Sequence, residues 1–255
     1  ADLMATRLYL NASRAAAINI GAAVGSQWDQ TIASGIWPTM RAQTSGDGNA
    51  NTNHNLGSLG TGSNPCDILF GQFLTDVMPS GVNISGTVQG NIVCREGNTA
   101  DNFYTQLGLY VVDSGGALVA TLLNGANTGG TEANSPSANN RNLPRAGSTA
   151  ISSYTTVNAT SRLCVEVGMR TESTRTTAVG YMYFGAGSGT DLPTGDATDS
   201  STTKSPWVEL SADIFTPPAG GGSRSQVGAM YGYHDQEDPE LASWKRRRSG
   251  LWAKD

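Results

Sequence analysis

The stretch Val82-Asn-Ile-Ser-Gly-Thr-Val-Gln-Gly-Asn-Ile-Val-Cys-Arg95 puts Val82, Ile84, Val88, Ile92 and Cys94 on one parity and Asn83, Ser85, Thr87, Gln89 and Asn91 on the other. Successive side chains of a strand point to opposite faces, so this period of two reads as a long, half-buried β-strand. The same code recurs along the chain. Phe103, Thr105, Leu107, Leu109 and Val111 alternate with Tyr104, Gln106, Gly108 and Tyr110. Leu163, Val165, Val167 and Met169 alternate with Arg162, Glu166 and Arg170, while Val208, Leu210, Ala212 and Ile214 share a face. Ala178–Phe184 is the expected partner of the strand at 163–170.

Met4–Leu10 reads as an opening strand, followed by an Ala- and Gly-rich stretch to Gly25. Gln27–Thr31 and Ile36–Gln43, around Trp28 and Trp37, read as short strands, and Asp67–Asp76 resumes the apolar pattern. Asp113-Ser-Gly-Gly116 reads as a hairpin turn, since glycines supply the positive φ of tight reversals, with Ala117–Leu123 as the return strand. Thr44–Asn64, Asn124–Asn142 and Gly185–Lys204 are rich in Gly, Asn, Ser and Thr and read as long loops. Roughly nine to eleven strands separated by turn signals predict an all-β fold, an antiparallel two-sheet β-sandwich of jelly-roll type over residues 1–216.

Composition agrees with that class. Glycine takes 32 of 255 positions, and 15% of residues are charged, against about 25% in ordinary soluble domains. The net charge of −5 argues against nucleic-acid binding by the body of the protein, which needs a basic face. No run reaches the ~18 apolar residues of a membrane span, and Ala1-Asp-Leu-Met-Ala-Thr-Arg7 lacks the basic and apolar regions of a secretory signal. A first residue of Ala is expected where an initiator Met has been trimmed, so synthesis in the cytoplasm without a secretion route is the expectation. Cys66, Cys94 and Cys164 are too few and too scattered for a disulfide framework or a zinc site, and read as buried free thiols.

The pattern breaks at Thr216-Pro-Pro-Ala-Gly-Gly-Gly-Ser223, which reads as the start of a linker over 217–230, stiff and then loose. The tail, 231–255, carries one helix signature. Asp238 is placed to cap it, Pro239 to open it, Lys245-Arg-Arg-Arg248 to favour its carboxyl end, and Gly250 to stop it. Such a helix is too short to stand alone, so it is expected to fold against a partner. Leu241, Trp244, Lys245, Arg246, Arg247, Arg248 and Trp252 are the predicted partner-binding residues, with the tryptophans as anchors for a groove on another subunit. Acidic residues at 235–240 nearly cancel the basic cluster, which weakens any nucleic-acid reading.

Chemistry-bearing motifs are few. Asp47-Gly-Asn-Ala-Asn-Thr-Asn53 spaces oxygen ligands like a calcium loop, but Thr52 and Ser58 stand where an EF-hand needs Gly and Glu. The loop therefore reads as a solvated polar segment, with His54 exposed. Glu166, Glu172 and Glu209 are expected to point outward from strands, and Asp191 and Asp196 to lie in a loop, with nothing that pairs two of them for glycoside hydrolysis. No Gly-x-Ser-x-Gly elbow occurs. Tyr104 and Tyr110, on the polar parity of their strand, are the candidate glycan-stacking residues; cross-strand aromatic pairing is the plainer reading of both.

Met4-Ala-Thr-Arg-Leu-Tyr-Leu10, Ile84-Ser-Gly-Thr-Val-Gln-Gly-Asn-Ile92, Leu163-Cys-Val-Glu-Val-Gly-Met-Arg170, Phe184-Gly-Ala-Gly-Ser-Gly-Thr-Asp-Leu-Pro193 and Ser205-Pro-Trp-Val-Glu-Leu210 together resemble, in order, a family of uncharacterised virion proteins of tailed bacteriophages and prophages. The resemblance covers about residues 4 to 215. It implies a structural component of the particle, on the head or the tail, with no catalytic motif, cofactor or metal to carry over. Its partners would be other virion proteins and further copies of itself, with a host surface glycan under the alternative reading of a carbohydrate-binding receptor module.

Overall fold

A computed structural model describes residues 5–31, 40–43, 52–55, 59–60, 65–125, 129–133, 137–173, 177–185, 190–196 and 204–216. These are all strand, turn or irregular, with no helix among the described residues. The linker and the helical tail expected beyond Thr216 lie outside them.

The strands in chain order are β1 (Thr6–Ala15), β2 (Gln30–Thr31), β3 (Met40–Gln43), β4 (Thr52–Asn55), β5 (Leu59–Gly60) and β6 (Cys66–Leu74). Next come β7 (Asn83–Ile84), β8 (Thr87–Glu96), β9 (Phe103–Val112), β10 (Leu118–Leu123), β11 (Asn139–Asn142) and β12 (Thr149–Ala150). The last are β13 (Tyr154–Thr155), β14 (Arg162–Thr171), β15 (Thr177–Ala178), β16 (Gly180–Phe184) and β17 (Trp207–Leu210). One 13-stranded sheet runs β10-β9-β14-β6-β3-β1-β17-β8-β16-β4, with β11 and β12 on β8 and β2 on β6. Pairing is antiparallel except where β2 and β3 meet β6.

The stretch at 82–95 holds its predicted parity, with Val82, Ile84, Val88, Ile92 and Cys94 all buried. It is two strands rather than one, broken at Gly86, whose φ of +92° turns the chain between β7 and β8. Asn91 pairs with both Trp207 and Asn142, and Val93 with both Tyr183 and Asn140. One edge of β8 therefore carries β12 and β11, and the other carries β17 and then β16.

The sheet curls until distant strands meet across a single core. Phe73 of β6 and Phe184 of β16 lie 5.2 Å apart, centroid to centroid, although four strands separate β6 from β16 in the sheet order. This placement corrects the expected pairing of Ala178–Phe184 with the strand at 163–170. Both edges of β14 are occupied by β9 and β6, so the chain crosses over and β16 pairs with β8 and β4 instead. Gly180 then faces Met169 and Phe103 across the core.

Two expected loops contain strands. Thr52–Asn55 pairs with β16 and Leu59–Gly60 with β15, inside the stretch read as a loop over 44–64. Asn139–Asn142 pairs with β8, inside the one read as a loop over 124–142. Polar strands of this kind leave no apolar alternation to read. The Asp113–Gly116 turn stands as expected, with Asp113 Oδ1 accepting from the backbone N–H of Gly115 and Ala117 and Gly116 at φ +89°.

The outward faces of β9, β14 and β6 are covered by the segment 16–29, a strap between β1 and β2. Ala16, Ile18, Ile20 and Val24 pack on Leu74, Tyr110, Val112 and Cys164. Gly168 admits the strap: a methyl there would stand 2.1 Å from the Ile68 carbonyl oxygen and 2.4 Å from the Trp28 ring. Backbone cannot give way as a side-chain tip can. Gly168→Ala is expected to lower unfolding free energy by about 3 kcal/mol, the upper end for overpacking a close-packed interior, measured by chemical denaturation.

Candidate functional site

The partner-binding residues expected in the tail, Leu241, Trp244, Lys245, Arg246, Arg247, Arg248 and Trp252, lie outside the described residues, as do Asp47–Asn51 of the calcium-like loop. Thr52, Asn53 and His54 fall in β4.

The two candidate glycan-stacking rings part company. Tyr110 is 1% exposed, which corrects the expectation that its parity faces solvent. The strap covers it, and its hydroxyl sits 2.6 Å from Gln27 Oε1 and 3.1 Å from Asn124 Oδ1. Burial pushes this phenol up, helped by the nearby Glu166 charge. Tyr104 stays half-buried, with the Arg145 guanidinium 4.5 Å from its ring centroid. Arg145 also reaches Glu172 at 3.3 Å, so one face of this ring is taken by a cation rather than held open.

Glu166, expected to point outward into solvent, is fully buried. Its Oε1 accepts from Val24 N at 2.6 Å and Gln72 Nε2 at 2.8 Å. Its Oε2 accepts from Gly25 N at 3.0 Å and Trp28 Nε1 at 2.7 Å. Three of the four donors belong to the strap. A carboxyl group that accepts from four donors fixes a segment strongly, and it leaves no oxygen lone pair aimed at a substrate.

Asp191 and Glu209 are brought together by Arg7. The guanidinium lies 2.6 Å from Asp191 Oδ2 and 2.8 Å from Glu209 Oε2, and it stacks 4.0 Å from the Trp207 ring centroid. Tyr9 donates to the same Asp191 oxygen at 3.1 Å. The cation bridges the two acids, a binding arrangement and not an acid–base pair. Asp196 Oδ1 accepts from Asn142 N at 2.8 Å. Asn140 donates to the carbonyls of Pro193 and Gly195, so amides pin the loop 190–196 over β8 and β11.

A further pair escaped sequence reading. Glu96, 2% exposed, accepts from Phe103 N at 3.2 Å and lies within hydrogen-bonding reach of the Glu132 carboxyl. Burial first, then the Glu132 and Asp101 charges, push its carboxyl up to about 8 against the opposing pull of the Phe103 amide. The three cysteines are free and buried, and burial pushes Cys66 up to about 11 and Cys94 to about 12. Thiols held so far from the thiolate are poor nucleophiles. No group of three His, Cys, Asp or Glu able to hold a metal ion occurs among the described residues.

No family model and no curated protein matches the chain. Similar solved structures include a chain of the infectious bursal disease virus Gx strain, 11% identical with a TM-score of 0.29, covering 70% of this chain and 40% of that one. Another is a CocE/NonD family hydrolase from Staphylococcus aureus, 9% identical with a TM-score of 0.26, covering 84% of this chain and 35% of that one. The chain thus spans well under half the length of either, and likenesses this weak assign neither fold family nor activity.

Two outcomes follow for the buried acids. Glu166→Gln turns an amide NH2 toward the strap's donors; it is expected to cost about 3 kcal/mol of stability and to raise hydrogen exchange over residues 16–29. For Glu96, the folded chain keeps a proton that the unfolded chain releases near 4.5. The associated stability is present in full below that pH and is lost as pH rises to about 8. Denaturation midpoints measured across that window should fall for the wild type, and Glu96→Gln should remove this part of the slope.

Proposed function

We propose that this chain is a non-enzymatic structural protein of a tailed-bacteriophage virion, acting through protein–protein contacts. In this reading residues 1–216 form a β-sandwich of jelly-roll type, 217–230 a linker and 231–255 the segment that ties the body to a neighbouring head or tail subunit. The observation that carries the reading is the ordered resemblance of five segments between Met4 and Leu210 to virion proteins of that kind. The curled sheet, with Phe73 against Phe184, supports the sandwich.

The internal use of the reactive side chains is consistent with a scaffold. Glu166 fastens a strap, Arg7 joins two acids, and the thiols are sealed in the interior. Function then rests on exposed loops and the tail, where Trp244 and Trp252 are the anchors and Lys245–Arg248 sets charge register at the rim. Many copies on one particle make individually weak contacts effective.

In the full-length chain, Trp244→Ala combined with Trp252→Ala is expected to reduce incorporation into purified particles to background, read by quantitative mass spectrometry of the virions. An unchanged thermal melt of the variant establishes that the body still folds. Wild-type incorporation of the double variant would remove the tail from this role.

A further inference from the structure

The large apolar side chains that stand exposed among the described residues are Val77 at 42%, Leu118 at 51%, Val119 at 44% and Val157 at 77%. They are not scattered. In the registers Cys164 opposes Leu74, and Val112 opposes both Arg162 and Leu118. The end of β6, the start of β14, the end of β9 and the start of β10 therefore lie at one end of the sheet. Val77 follows β6, Val157 precedes β14, and Leu118 and Val119 open β10. The loops leaving that end are tied together, with Met78 N donating to Ser161 O at 2.8 Å and Gly81 N to Thr156 O at 2.7 Å. Clustered apolar exposure marks contact surfaces, where scattered single residues do not.

The same end carries a strand edge that is open among the described residues. Among the described residues β10 is the terminal strand of its side of the sheet and pairs with β9 alone. Leu122 O accepts from Ser152 N, but among the described residues no other segment bonds the outer edge of Leu118–Thr121. That edge reads Leu-Val-Ala-Thr, without the charge or proline by which sheet proteins commonly deter edge pairing. Register shifts at Leu118/Ala120 and Thr121/Leu123 bend the strand, so the ladder it can offer is short and side chains must supply much of any contact.

We propose that this end is a self-association surface, on which β10 of a second copy lies antiparallel to β10 about a twofold axis, with Leu118 and Val119 at the contact. Charge selects the occupant. The chain carries a net charge of −5, so two copies repel over most approaches. The outer edge of β10 carries no charge, and Asp76, Asp113 and Arg162 are the ionisable groups on the segments flanking it. A charged partner gains little there, whereas an uncharged strand edge is complementary to its own antiparallel copy, the isologous arrangement commonest in homodimers. The proposal stands apart from the virion reading: a dimer in solution leaves that reading open, and failure to dimerise leaves it untouched.

Sedimentation velocity of the full chain across a dilution series tests it. A concentration-dependent dimer is expected, and Leu118→Lys with Val119→Lys should raise its dissociation constant at least about tenfold. Both positions are exposed, so the fold should survive, checked by circular dichroism. Thr99→Lys, exposed in the turn before β9 at the opposite end of that strand, should leave the dimer intact. A wild type that stays monomeric, or a dimer indifferent to the two lysines, would overturn the proposal.

Discussion

A carboxylate withdrawn from water has to be met by donors where it lies, and Glu166 meets that requirement with a segment from far away in sequence. Val24 N, Gly25 N and Trp28 Nε1 all converge on it, so residues 16–29 have little choice but to cross the outward faces of β9, β14 and β6. Once there, Ile18, Ile20 and Val24 bury Leu74, Val112 and Cys164, and those strands become interior on both sides. Remove the carboxylate and the strap keeps its apolar contacts but loses what sets its register. Much of the outer layer in this half of the body hangs on that one side chain.

The inward code was legible because a period of two needs only one buried face, and Val88, Ile92, Leu107, Val165 and Val208 declare theirs directly. The outward code misled. Gln106, Tyr110 and Glu166 sit on the polar parity and so read as solvent-facing, yet all three are buried. A signal was present in the glycines sharing that parity. Gly108 and Gly168 lie on neighbouring strands, and a methyl on either would run into the strap or the groups beneath it. Glycine on a nominally exposed face of a strand is a mark of close cover, and two of them set diagonally on paired strands argue for a covered face. In the candidate site, the buried thiols agree with the reading from sequence; the clustering of Glu96 with Glu132 and of Arg7 with Asp191 and Glu209 depends on long-range register, which no local pattern carries.

The strands that escaped sequence reading share a physical reason. Asn139–Asn142 is buried through amides and a guanidinium: Asn140 donates to two carbonyls of the loop at 190–196, and Arg141 Nε donates to Glu132 O at 2.6 Å. A strand stabilised by hydrogen bonds to a covering loop has no hydrophobic period, so composition alone assigns it to a loop. Locality failed for β16 in a related way. Nearness in sequence favours a hairpin with β14, but both edges of β14 already carry long ladders, and Phe184 gains an aromatic contact with Phe73 only by crossing the core.

Four acids in three arrangements show how differently one kind of group is accommodated in one body. Glu166 holds four donors; Asp191 and Glu209 share a guanidinium at the rim; Glu96 has one backbone donor and another carboxyl as neighbour. The third favours the proton, since two carboxylates that close cannot both ionise without water to screen them. The region joining β8, β9 and the segment at 129–133 is thus a part of the body whose cohesion depends on pH. The proton retained at Glu96 predicts that acid leaves this region intact and that rising pH loosens it, which places this pH-sensitive seam away from the apolar end that carries Leu118 and Val157.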